Sequence, residues 1–210
     1  MSNPVIENVR RNLGRGPHSQ FSARPAILAA RQAGPRDSEV ETFLSEVRKL
    51  SGIAQEQAPG GIESALEALV AEQGIRRATL WETPFLGQLA IKGKLEALGV
   101  ELVPAHADKH DLAHCDLGVT EADYLLPETG TIVLRSSAAK PRAVSLLPRV
   151  HLAIVRPHML RADLHQVFAE AKDDHYLVFI TGPSRTADIE LTVTLGVHGP
   201  RNLYVWMMGE

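Results

Sequence analysis

From Asp37 onward, stretches with helical periodicity alternate with short apolar runs, and this alternation limits the fold more than any other feature of the sequence. Asp37 or Ser38 can cap a helix that carries Val40, Phe43, Leu44, Val47 and Leu50 on one face and closes at Gly52. A second helix is expected over Ile62–Gln73, with Leu66, Leu69 and Val70 inward and Gly74 as its stop. Residues 75–81 read as a strand, 85–98 as a helix ending at Gly99, and 100–103 as a short strand stopped by Pro104. Further strands are expected over 131–135, 151–156, 176–181 and 203–208, with a helix over 159–172. Such a succession implies an α/β fold with a mostly parallel sheet covered by helices on both faces. A chain of 210 residues suits one such domain over 37–210. Residues 1–36 precede it: a short helix with Val5, Ile6, Val9 and Leu13, stopped by Gly14, and then a Gly- and Pro-punctuated arm suited to wrapping over the domain or a partner subunit.

Composition removes several classes of function. A net charge of -3 supplies no basic field for nucleic acid or anionic lipid, and 5% aromatic residues leave little for a base-stacking surface. No apolar run approaches the ~20 residues that span a bilayer, and the first residues lack the apolar core of a signal peptide. The single cysteine, Cys115, rules out an intramolecular disulfide and suits a reducing cytoplasm. It also falls short of the about four thiolates of an iron–sulfur cluster, so any such cluster belongs to a partner.

Three polar stretches carry candidate chemistry. In Thr120-Glu121-Ala122-Asp123 and the following Glu128-Thr129-Gly130-Thr131, carboxylates and hydroxyls surround a glycine that permits positive φ or close approach of a ligand. The same residues also suit a turn that satisfies its own backbone. Gly182-Pro183-Ser184-Arg185-Thr186, followed by Asp188, comes directly after an apolar run, where parallel sheets place ligand loops. A helix starting after Ser184 would add free N–H groups beside Arg185, enough to hold a carboxylate or phosphate. A capped helix start with a surface Arg–Asp pair is the plainer reading. The third stretch, Arg135-Ser136-Ser137-Ala138-Ala139-Lys140-Pro141-Arg142, suits an anionic ligand, an acidic partner surface, or simply solvent.

Histidines divide by context. His106, His110 and His114 would share one helix face, as a zinc site or as a solvated surface, and no metal is assigned to them. His198, between Gly196 and Gly199, is a candidate for proton handling or a satisfied turn residue, and His151 begins an apolar strand as a structural residue. There is neither a Walker loop nor a G-x-G-x-x-G stretch.

Taken together, Gly118-Val119-Thr120-Glu121-Ala122-Asp123, Glu128-Thr129-Gly130-Thr131, Ser145-Leu146-Leu147-Pro148, the stretch from Ile180 to Glu190, and Gly196-Val197-His198-Gly199-Pro200 resemble the LUD-domain family, in its lactate-utilisation branch. The resemblance is specific over 117–208. It implies a fold similar to the sugar-phosphate isomerase, CoA-transferase and formyltetrahydrofolate cyclo-ligase group. It also implies a cluster-free subunit that oxidises L-lactate to pyruvate together with iron–sulfur partner proteins. In that reading Ser184, Arg185 and Thr186, with Thr129, Gly130, Gly182 and Asp188, hold a small carboxylate or other anion, and Glu128 and His198 are the catalytic candidates. One departure is Leu126-Pro127 before the Glu-Thr-Gly turn, where relatives carry small or aliphatic residues; proline stiffens the approach to Glu128. Two other readings stand beside it: a non-catalytic assembly or anion-sensing module, and a stand-alone enzyme on a phosphorylated or CoA-linked substrate.

Overall fold

The structure, a computed structural model, describes residues 4–14, 30–174, 176–187 and 193–209. Helix α1 (Pro4–Asn12) is exposed along its length. Helix α2 (Arg36–Lys49) buries Val40, Phe43, Leu44 and Val47. Its N-cap is Pro35, so Asp37 sits in the first turn and no side chain caps the helix. At its other end Ser51 takes φ 67°, with Ser51 N–H donating to Arg48 O and Gly52 N–H to Val47 O, both at 2.9 Å. This is a Schellman closure with serine at the left-handed position; Gly52 serves the close approach to Val47 instead.

Next come β1 (Ile53–Gln57), α3 (Ile62–Gln73) ending on left-handed Gly74, and β2 (Arg77–Leu80). The helix expected over 85–98 is two, α4 (Pro84–Gln88) and α5 (Ile91–Ala97), broken where Ala90 takes φ 53°. Strand β3 (Glu101–Leu102), α6 (Lys109–Ala113) and β4 (Leu117–Glu121) follow, then β5 (Tyr124–Leu126), a 3-10 turn over Pro127–Thr129, and β6 (Thr131–Arg135). Helix α7 (Ala143–Leu146) leads to β7 (Val150–Val155). The helix expected over 159–172 is a 3-10 turn over Pro157–Met159 and the shorter α8 (Leu164–Glu170). The chain ends with β8 (Leu177–Ile180), β9 (Arg185–Ala187), β10 (Val193–Leu195) and β11 (Asn202–Met208).

Six strands form one parallel sheet in the order β1-β11-β7-β4-β2-β3. Every residue of β7 and six of the seven in β11 are buried, as expected where helices cover both faces. The α/β class, with a parallel sheet flanked by helices, is therefore as the alternation implies. Two expectations fail. Residues 131–135 and 176–181 contribute β6 and β8 to a separate antiparallel sheet, β5-β6-β8, so the Gly182 loop does not leave a strand of the parallel sheet. After Ser184 the chain forms the antiparallel hairpin β9–β10, so no helix N-terminus faces Arg185. Local apolar runs do not encode which sheet a strand joins. Among the described residues, no helix is long and apolar enough to cross a membrane.

Candidate functional site

The chain runs from β2 outward to β3, then returns to β4 on the other side of β2 and continues to β7. The connections after β2 and β4 therefore diverge, and a crevice opens between their C-terminal ends, where parallel sheets bind ligands. A cavity of about 480 Å³ occupies this place. Glu82 and Thr83 reach it from the end of β2, Glu121 and Asp123 from the end of β4, Arg156 from the end of β7, and Lys140 from the loop after β6.

Opposite charges face one another in pairs. Arg156 is hydrogen bonded through Nη2 to Glu121 Oε1 and stacks its guanidinium 3.9 Å from the centre of the Phe85 ring. Among the described residues its buried Nε has no acceptor. Lys140 Nζ donates to Asp123 Oδ1 at 2.6 Å and lies 5.2 Å from the Trp81 ring centre, and Asp123 Oδ2 accepts from Arg135 N–H at 2.8 Å. Trp81 Nε1 in turn donates to Pro141 O at 3.0 Å, which ties the basic loop to the sheet. Arg161 places Nε on both Glu170 oxygens (2.8 and 2.9 Å) and Nη1 on two backbone carbonyls. The cleft thus offers a guanidinium, an ammonium, and the three carboxylates of Glu82, Glu121 and Asp123. Such a set can bind an anion and a neighbouring hydroxyl at once.

Most of the residues singled out from sequence lie elsewhere. Glu128 is exposed and pairs with Arg31 Nε at 3.0 Å. The same Arg31 grips Glu39 with two bonds of 2.8 and 3.0 Å, and its backbone N–H donates to Asp163 Oδ2. The arginine holds the nearly buried Glu39 carboxyl below its ordinary value. Thr129 joins a chain of hydroxyls, Thr129–Thr131 at 2.7 Å and Thr131–Thr181 at 2.8 Å, that links its turn to the strand preceding Gly182. Gly130 has φ 58°, and a Cβ there would sit 2.6 Å from Val47 N. At Gly182 a Cβ would meet Leu50 O at 3.1 Å. Arg185 Nη2 donates to Leu50 O and to Ser51 Oγ. Both glycine turns and Arg185 therefore seat the C-terminal end of α2. Thr186 lies in β9, paired with Thr194, and Asp188 is outside the described residues.

Gly182 and Ser184 do meet His198, in a smaller cavity away from the cleft. His106, His110 and His114 are exposed around a helix of only five residues, and His114 Nδ1 lies 2.6 Å from His110 O. Among the described residues no group of three or more His, Cys, Asp or Glu converges as a metal site. Of the sequence motifs, Glu121 and Asp123 of the first and Ser137 and Lys140 of the third reach the cleft. Arg156 is not among the sequence candidates, although it is the last residue of the run 151–156 read as a strand and the C-terminal-end rule points to it.

The fold is an α/β one, a parallel sheet with a mixed-charge crevice at its switch point. The family model of the LUD domain matches residues 65–208, and the chain belongs to that family. It is 31% identical to a lactate utilization protein C of Halalkalibacterium halodurans over 93% of this chain and 92% of that one. A second protein of that name, from Shouchella clausii, is 29% identical over the same shares. A solved structure of a DUF162 family protein from Deinococcus radiodurans superposes with a TM-score of 0.63 at 18% identity, covering 84% of this chain and all of that one, a likeness of fold.

Proposed function

We propose that this protein serves lactate utilisation as a cluster-free subunit, binding lactate or its keto acid in the switch-point cleft while iron–sulfur partner proteins carry the electrons. The full-length likeness to proteins named for lactate utilisation supports the process. A single cysteine supports the division of labour, since cluster ligation takes about four thiolates. The observation that carries the binding site is Arg156, whose partly exposed guanidinium lines the cleft with Glu121 held beside it. A 2-hydroxy acid matches that pair, with its carboxylate on the guanidinium and its hydroxyl on the carboxylate. Losing one charge-assisted bond costs about 1.5–3 kcal/mol, roughly ten- to a hundredfold in binding. In a reconstituted assay of lactate-dependent acceptor reduction, Arg156→Ala is expected to lower activity by that order, and Arg185→Ala to leave it within about twofold. Full activity of Arg156→Ala would remove the cleft from the reaction.

The cleft also supports a second reading. It adjoins another cavity of about 560 Å³ that shares Glu82, Thr83 and Pro84 with it. Space of this size suits ligands much larger than a three-carbon acid. A thermal-shift series with lactate, pyruvate, sugar phosphates and CoA separates the readings, because a ligand at 100 times its Kd stabilises by about 2.7 kcal/mol. Shifts confined to phosphorylated compounds would favour a stand-alone enzyme on such a substrate.

A further inference from the structure

An apolar helix face and an apolar strip elsewhere on the chain both lie in solvent. The face belongs to α1, which buries no residue, although Ile6, Val9 and Leu13 recur at i, i+3 and i+7 and so share one side. Leu13 continues the helix, its N–H donating to Val9 O at 3.0 Å. A helix this short is marginal in water on its own, so covering that face is what stabilises it.

The strip lies on α8 and β8. Val167 and Ala171 of α8 turn inward against Tyr124, Leu126 and Val133 of the antiparallel sheet. Leu164 and Phe168, four residues apart, stay 42% and 52% exposed beside them. Phe179 of the edge strand β8, 40% exposed, meets Phe168 with ring centres 5.9 Å apart. Contiguous exposed apolar surface of this kind marks an interaction site.

The path of the chain indicates what covers the strip. Arg31 fixes the arm at the head of α8: its N–H donates to Oδ2 of the N-cap Asp163 at 2.8 Å, and its Nη1 to Ala162 O at 3.1 Å. Leu164 is the next residue of that helix. Residues 15–29 join Gly14 to Ala30, a reach of up to about 50 Å, enough to carry α1 from one copy to the strip of another. In the single chain α1 is not laid on its own strip, since both remain exposed. A helix of nine residues is about 14 Å long, too short for one contact to bury the about 1,200 Å² of a specific pair. Two copies exchanging helices across a two-fold axis make the contact twice.

We propose that this protein forms a two-fold dimer in which α1 of each copy lays Ile6, Val9 and Leu13 on Leu164, Phe168 and Phe179 of the other.

The test uses the full chain. Val9→Cys and Leu164→Cys chains are mixed in equal amounts and treated with a short bismaleimide, the native Cys115 being buried. The expected result is a covalent dimer containing one chain of each kind. Sedimentation is expected to show a dimer for wild type, weakened at least about tenfold by Val9→Asp or by Phe168→Asp, both at exposed positions outside the core. No mixed product, a monomer at all concentrations, a dimer that withstands both charges, or a Val9→Cys/Leu164→Cys double variant that cross-links within one chain would each overturn the exchange.

Discussion

Arg31 shows how one side chain can fix several segments. It bonds Glu39 of α2, Glu128 of the 3-10 turn and the carbonyl of Ala162. Glu39 is 6% exposed, so removing its partner leaves a nearly buried carboxylate with, among the described residues, only the Gly34 N–H. Arg31→Ala is expected to lower stability by about 2–3 kcal/mol in urea unfolding at pH 7. Glu39 has a folded pKa depressed chiefly by its hydrogen bonds to Arg31. Its contribution is present above the ordinary value near 4.5 and is lost as pH falls below it, so the gap between wild type and Arg31→Ala narrows in acid. Glu128 is exposed, and Glu128→Gln is expected to cost under about 1 kcal/mol. The polar character of Glu128 and Arg185 is legible in the sequence. Their partners are not: Arg185 reaches a carbonyl 135 residues away, and no local period marks such a pairing.

At the scale of elements, helices with a 3.6-residue apolar stripe are read from sequence almost to the residue, as α3 shows. Strands β1 and β4 escape that reading. In β1 only Ala54 is buried, so Ile53–Gln57 looks polar, and Gly118 interrupts the apolar run of β4. Gly118 is needed because a Cβ there would strike Val144 O of α7. The glycine of the Glu-Thr-Gly turn is legible as special but not in its purpose, which is to let α2 approach. Gly130→Ala combines overpacking against Val47 N with a left-handed φ and is expected to cost about 3 kcal/mol, lowering the urea midpoint with little change in slope. Ala90 between α4 and α5 gives the opposite sign. It is exposed with φ 53°, and Ala90→Gly relieves that strain against a small loss of chain entropy, for an expected gain of about 0.5–1 kcal/mol.

The whole molecule has two ends, and the sheet assigns them different chemistry. At the C-terminal ends of β2, β4 and β7 lie paired charges; at the starts of β7 and β11 lies a largely apolar cavity beside the buried His151. Strand order creates this division, and strand order cannot be read from local runs. This explains why the sequence points to Glu121, Asp123 and Lys140 without saying that they meet. His151 also gives the fold a distinct acid response. Its folded pKa is near 3 and its unfolded value near 6.5, so below about pH 6.5 the unfolded chain takes up a proton that the folded chain refuses. Stability is then full above pH 6.5 and falls with decreasing pH at up to about 1.4 kcal/mol per unit. The depressed carboxylates Glu39 and Asp116 begin to contribute only below their ordinary values near 4.5 and 3.8. Urea unfolding between pH 6.5 and 4.5 is expected to show the decline in wild type and a flatter profile in His151→Gln. Parallel profiles for the two proteins would mean that His151 takes up its proton in the folded state.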